Sequence, residues 1–126
     1  MKVHLLLITL IIASVNLSCN KQTDEDIEGK WHLTNKSGGF AGVNENFERD
    51  DITWTFNGTT LTVVNNTSTQ SGDYFDNGTY SFTTITINGE EVLRVNGDEI
   101  GSYSVDKNNL SISERYVDGF YYQMEK

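Results

Sequence analysis

From residue 28 onward, apolar residues return at every second position, with Thr, Ser, Asn and charged groups between them. The series runs through Trp31 and Leu33, then Ile52, Trp54 and Phe56, then Leu61 and Val63, Tyr80 and Phe82, and Ile85 and Ile87. It continues with Leu93 and Val95, Tyr103 and Val105, Leu110 and Ile112, and ends on Phe120, Tyr122 and Met124. A period of two sends alternate side chains to opposite faces of a strand, whereas a helix needs apolar residues three and four apart. Almost no stretch keeps such a stripe, and the interleaved threonines suit a half-buried pleated surface. The pattern predicts an all-β chain.

Turn chemistry divides the series. Asn57-Gly58, Asn77-Gly78, Asn88-Gly89, Asn96-Gly97 and Asp118-Gly119 are Asx-Gly pairs, and Asp106 to Asn109 is a further polar turn. Such pairs tolerate the left-handed dihedrals of tight hairpins. Consecutive hairpins predict an antiparallel up-and-down meander of about eight strands, which removes its edges by closing into a barrel. The chain has no proline, as expected where nearly every N–H is committed to a ladder. Phe82 and Ile85 have opposite parity, so a bulge near Thr83-Thr84 is expected to reset the inward face.

The first nineteen residues read differently. Lys2 precedes an eleven-residue apolar run from Leu5 to Val15, too short for the roughly 20 residues that span a bilayer but suited to a secretory signal. The run ends in Asn16-Leu17-Ser18-Cys19, and Cys19 is the only cysteine of the 126 residues. This resembles a bacterial lipoprotein signal, which implies cleavage after residue 18 and fatty acylation of Cys19. Asn16 departs from the aliphatic residue usual in that signal. Asn20 to Glu28 is polar and acidic without periodicity, as in a solvated spacer. Lys21 followed by Asp24-Glu25-Asp26 resembles a surface-export tag of lipoproteins from one Gram-negative lineage. The resulting organisation is a signal over 1–18, a lipidated tether over 19–27 and a barrel domain over 28–126. The resemblance implies an exported protein anchored by lipid at the outer membrane, facing the periplasm or the surface.

Gly29-Lys30-Trp31 stands at the start of the first strand and resembles the lipocalin signature, in which the tryptophan plugs the closed end of an eight-stranded barrel. GKWHLTN, the loop Gly38 to Gly42, ITWTF, GDYFDNGTYSF and DGFYYQMEK together look like small bacterial lipocalin-like lipoproteins. Gly29 and Trp31 are thereby the structural signature. The chain is shorter than a typical lipocalin and shows no C-terminal helix pattern. The resemblance implies a lipid-anchored envelope domain that binds a small apolar ligand without catalysis. Inward Trp54, Phe56, Tyr80, Phe82 and Tyr103 would line the site. Its mouth is expected opposite Trp31, between the loops Asn35 to Asp51 and Asn65 to Asn77, which carry Phe40, Phe47, Tyr74 and Phe75. Most of the inward positions are Leu, Ile, Met or aromatic, and an eight-stranded barrel is only wide enough to be filled or to hold one small ligand. The alternative is therefore a filled barrel acting as a structural or protein-interaction lipoprotein.

Charge and reactive groups narrow the function. Eighteen acidic residues face nine basic ones, for a net charge of −9, and the signal carries away Lys2 and no acid, leaving −10. Nucleic acid is an unsuitable partner because phosphate binding needs clustered Lys and Arg. An acidic domain also gains nothing from anionic lipid surfaces, so acyl chains must do the anchoring. One cysteine excludes an internal disulfide and a Cys-rich zinc site. After cleavage His32 is the only histidine, and alternation points it outward, where it is expected to be solvated. Asp73 to Gly78 faintly resembles a calcium loop, but Phe75 stands where an oxygen ligand belongs and no glutamate closes it. Asp50-Asp51 and Glu90-Glu91 are adjacent carboxylates, which on a strand face opposite ways. No nucleotide-binding glycine motif occurs. The expectation is a non-enzyme with no cofactor and no metal.

Overall fold

The computed structural model describes residues 26–67 and 76–126. Among these residues nine strands follow one another: β1 (Gly29–Gly38), β2 (Val43–Asn46), β3 (Ile52–Asn57), β4 (Thr60–Asn65), β5 (Gly78–Ile87), β6 (Glu90–Val95), β7 (Asp98–Asp106), β8 (Asn109–Ser113) and β9 (Phe120–Glu125). Every pairing is antiparallel, and β1 pairs with β9 to close the sheet. β1 divides its other edge between two partners. Gly29 to His32 pair with β3, while Asn35 to Gly38 pair with β2. The short strands β2 and β3 thus fill one position around the ring, giving a closed eight-stranded barrel with one extra strand. The stretch read as a long loop from Asn35 is therefore largely a β1–β2 hairpin.

Local chemistry sets the turns. Asn88-Gly89 and Asn96-Gly97 have positive φ at both residues (52° and 82°, 51° and 84°), the condition for two-residue hairpins that match strand twist. Asn77-Gly78 behaves otherwise. The Asn77 side chain accepts the Asn65 N–H (2.7 Å) and donates to the Asn65 carbonyl (3.1 Å), so it extends the β4–β5 ladder by one rung.

The core follows the alternation closely. Trp31, Leu33, Trp54, Phe56, Leu61, Leu93, Leu110, Ile112 and Met124 are sealed from solvent in one cluster. Phe56 joins its neighbours edge-on, at 6.2 Å from Trp54 and 4.9 Å from Phe82 between ring centroids. Such contacts add to the burial of large rings, worth about 2–3 kcal/mol for a side chain such as Phe. All positions of the series belong to this cluster or pack against it except Ile85 and Ile87.

Those two exceptions locate the parity change. β5 pairs with β6 without interruption from Phe82 to Ile87, so no bulge lies at Thr83-Thr84. Ile85 and Ile87 simply face outward. The reset lies in β7, where Leu93 pairs with Gly101 but Arg94 with Glu99, leaving Ile100 as an extra residue. Ile100 and Tyr103, of opposite parity, both reach the core side. Gly101 is required there, since a Cβ would stand 2.2 Å from the Ser113 carbonyl oxygen. Val92 is buried on the outer face. Arg115 binds Glu90 (3.4 Å) and Glu99 (3.2 Å), and so lies across the sheet beside it.

Candidate functional site

The two ends of the barrel differ. At one end β1 begins, and the turns β3–β4, β5–β6 and β7–β8 gather with the end of β9. The segment Asp26 to Glu28 crosses this end and is pinned at several points. Trp31 Nε1 donates to the Ile27 carbonyl at 2.7 Å. Glu28 Oε1 accepts the Gly58 N–H at 2.7 Å, and Asp26 Oδ1 accepts the Glu28 N–H at 3.0 Å. Ile27, read from the sequence as the end of a solvated spacer, is 4% exposed and packs into the core. Lys126 Nζ sits 4.8 Å from the Trp31 ring, a cation over an aromatic face that covers the plug from outside. Gly29 has φ of +118° beneath Lys126, a backbone geometry that L side chains rarely adopt. Gly29 and Trp31 therefore close this end together.

The closure is incomplete on one side. β5 pairs with β4 only from Gly78 to Ser81, and with β6 from Phe82 onward. The far half of β5 consequently overhangs the β3–β4 turn together with β6. Between this overhang and the Asp26–Glu28 segment lies an open groove of about 350 Å³, lined by Ile27, Gly58, Phe82, Thr84, Glu91 and Tyr103, with Asp26 and Glu28 at its border. Glu91 Oε1 accepts the Thr86 hydroxyl at 2.7 Å, which holds its carboxylate against β5.

Phe82 and Tyr103 are thus brought together, but at the Trp31 end rather than opposite it. Trp54 and Phe56 lie in the sealed core beneath. Tyr80 is half-buried, its hydroxyl donating to the Asp76 carbonyl at 3.0 Å. Phe40 projects from the β1–β2 turn at the opposite end, 94% exposed. Tyr74 and Phe75 lie outside the described residues, as do Cys19, the signal and most of the tether. The sequence reading assigned none of Ile27, Thr84 and Glu91 to the site. Their place in the groove comes from the offset between β4 and β6 along β5, and no local pattern encodes that offset.

The opposite end carries loops. Phe40 in the β1–β2 turn and Tyr116 and Val117 in the β8–β9 loop are the most exposed large apolar side chains among the described residues. Their loops adjoin: the Gly39 N–H reaches the Gly119 carbonyl at 3.4 Å. His32, expected to be solvated, is 7% exposed. It does face outward, but the turn Glu48 to Asp51 folds over it. Its Nδ1–H donates to the Arg49 carbonyl, and Asp50 Oδ1 stands 3.7 Å away. The chain leaves the β1 edge between Asn46 and Ile52 to make this cover, and that excursion is why β2 and β3 are separate. Among the described residues, no group of three or more His, Cys, Asp or Glu is placed to hold a metal ion, and no helix is long and apolar enough to cross a membrane. Half of the Asp73–Gly78 stretch, residues 73–75, falls outside those residues.

Closed antiparallel topology, a Gly-x-Trp plug and a groove beside it define a barrel of the ligand-binding type. The chain belongs to the lipocalin-like domain family: the family model described as "Lipocalin-like domain" matches residues 10–116. No significant match occurs among curated proteins or solved structures. The family is generally non-enzymatic.

Proposed function

We propose that this chain is a non-catalytic, lipid-anchored envelope protein that binds a small amphiphile in the groove beside the Trp31 plug. The carrying observation is the open volume of about 350 Å³ where Phe82 and Tyr103 meet Ile27. It is within the size range of small-molecule pockets and combines apolar walls with a few polar groups. Carboxylates of Asp26, Glu28 and Glu91 border it, so the ligand has an apolar body and a neutral or cationic head. Acylation of Cys19 fits this reading. Six residues separate Cys19 from Asp26, and the seven steps between them reach at most about 25 Å, so the tether would hold the groove's end close to the bilayer from which an amphiphile partitions.

Native mass spectrometry of the protein, purified gently from its own membrane, tests this. A discrete small molecule should co-purify and be lost in Thr84→Trp, which fills the groove from an exposed position without removing any core side chain. A bound mass that survives Thr84→Trp, or the absence of any, would remove the reading.

One observation favours a second reading. The barrel interior is packed by its own side chains, while Phe40, Tyr116 and Val117 stand bare on adjoining loops. Exposed apolar groups gathered in one place mark interaction surfaces. On this reading the loop end, directed away from the anchor, engages another envelope protein. Cross-linking in cells that yields the same discrete adduct for wild type and Thr84→Trp, but not for Phe40→Ser, would favour it.

A further inference from the structure

The outer surface of a closed barrel is convex, so a depression on it must come from differences in side-chain height. Two such depressions, of about 250 and 310 Å³, lie on the outside of the β6–β9 wall and share Ser104 and Ser111 as floor. The register explains them. Ser102 pairs with Ser113 and Ser104 with Ser111 across β7 and β8, forming a square of four short side chains. Taller residues stand on both sides: Tyr121, Gln123 and Glu125 on β9, and Glu90 on β6. The depressions thus join into one trough.

Its floor departs from the rest of the barrel. Outward positions on β3, β4 and β5 use threonine in register, with Thr55 opposite Thr62 and Thr62 opposite Thr79. Threonine fits a pleated surface better than serine, so four serines forgo a small local stabilisation each. What they provide is room and hydroxyl groups.

The geometry points to this trough as a binding site for a neutral polyhydroxylated chain, that is, a linear oligosaccharide. Serine hydroxyls both donate and accept, Gln123 and Asn109 offer amides that do the same, and Asp106 and Glu125 accept pairs of hydroxyl protons. Tyr121, at the edge of sheltered and open surface, presents a ring on which the C–H face of a sugar can rest. Anionic ligands are disfavoured, because among the described residues no Lys or Arg lines either depression. Purely apolar ligands find too little apolar floor. An elongated site of two joined compartments takes a chain in preference to a single ring. The trough meets the amphiphile groove at Glu91 and Tyr103, but its serine floor lies outside that groove, so the two sites are tested by different variants.

The test is titration of the ¹⁵N-labelled full-length protein in detergent with linear hexasaccharides of glucose and of N-acetylglucosamine. Their monosaccharides, spermine and hexametaphosphate serve as comparisons. At least one hexasaccharide should shift the amide signals of Ser104, Ser111 and Gln123, and bind about tenfold or more tighter than its monosaccharide, as joined subsites require. Ser111→Tyr, which fills the floor from outside the core, should weaken binding about tenfold or more without lowering Tm. Thr84→Trp should leave it unchanged. No shift at these residues with either hexasaccharide, binding that survives Ser111→Tyr, or a response to spermine alone would each overturn the assignment.

Discussion

The two ends of this barrel spend their apolar residues in opposite ways. At the plugged end Ile27 and Trp31 are buried, hydrogen-bonded to each other through backbone and indole, and covered by Lys126. At the loop end Phe40 and Val117 are 94% and 102% exposed. Residues of one chemical class therefore serve stability at one end and availability at the other. The difference teaches that the plug belongs to the core, whereas the loop residues could be changed without the fold responding.

That contrast can be broken in four ways, from the largest effect to the smallest. Trp31→Ala removes the plug and leaves a cavity, and is expected to cost about 3–5 kcal/mol; thermal unfolding should show Tm falling by roughly 15 °C or more. Ile27→Ala should cost about 2–4 kcal/mol, measurable as a shifted urea midpoint with unchanged slope. A smaller loss would mean that the Asp26–Glu28 segment is not part of the cooperative unit. Glu28→Gln weakens the acceptor for the Gly58 N–H without removing it, so a loss of about 1 kcal/mol or less is expected, with faster hydrogen exchange at Gly58 as the local signature. Phe40→Ser and Val117→Ser should each change stability by less than about 0.5 kcal/mol. A large loss from either would show that the loop end is packed in solution and would erase the distinction between the ends.

Much of the barrel was legible because a period of two is a local signal. Trp54, Phe56, Leu61 and Val63 needed only their own spacing to be assigned inward, and two Asx-Gly pairs marked hairpins through their φ requirement. What lay hidden is non-local. The bulge at Ile100-Gly101 depends on how β7 meets β6 and β8, and nothing in the spacing distinguishes it from a reset at Thr83-Thr84. The covering of His32 depends on a detour between β2 and β3 that closes a gap in the β1 edge. The candidate site shows the same division. Alternation identified Phe82 and Tyr103 as inward, but inward gives no depth along the barrel axis. Trp54 and Phe56 turned out to be sealed in the core, although Phe56 pairs with Gly29 at the plugged end, whereas Phe82 and Tyr103 border the open groove. Depth follows from strand offset, which is a property of the closed sheet.

The contact between Lys126 and the Trp31 plug has a topological consequence. It brings the last residue of the chain against the first strand, with Lys126 Cε 3.3 Å from where a Cβ on Gly29 would stand. A short peptide could join residue 126 to residue 26, and the chain could be reopened in the exposed turn at Phe40, giving a circular permutant with the same ring of strands. Lys126 lies at the plugged end with the start of β1, so any cargo fused after Lys126 emerges at that end of the barrel.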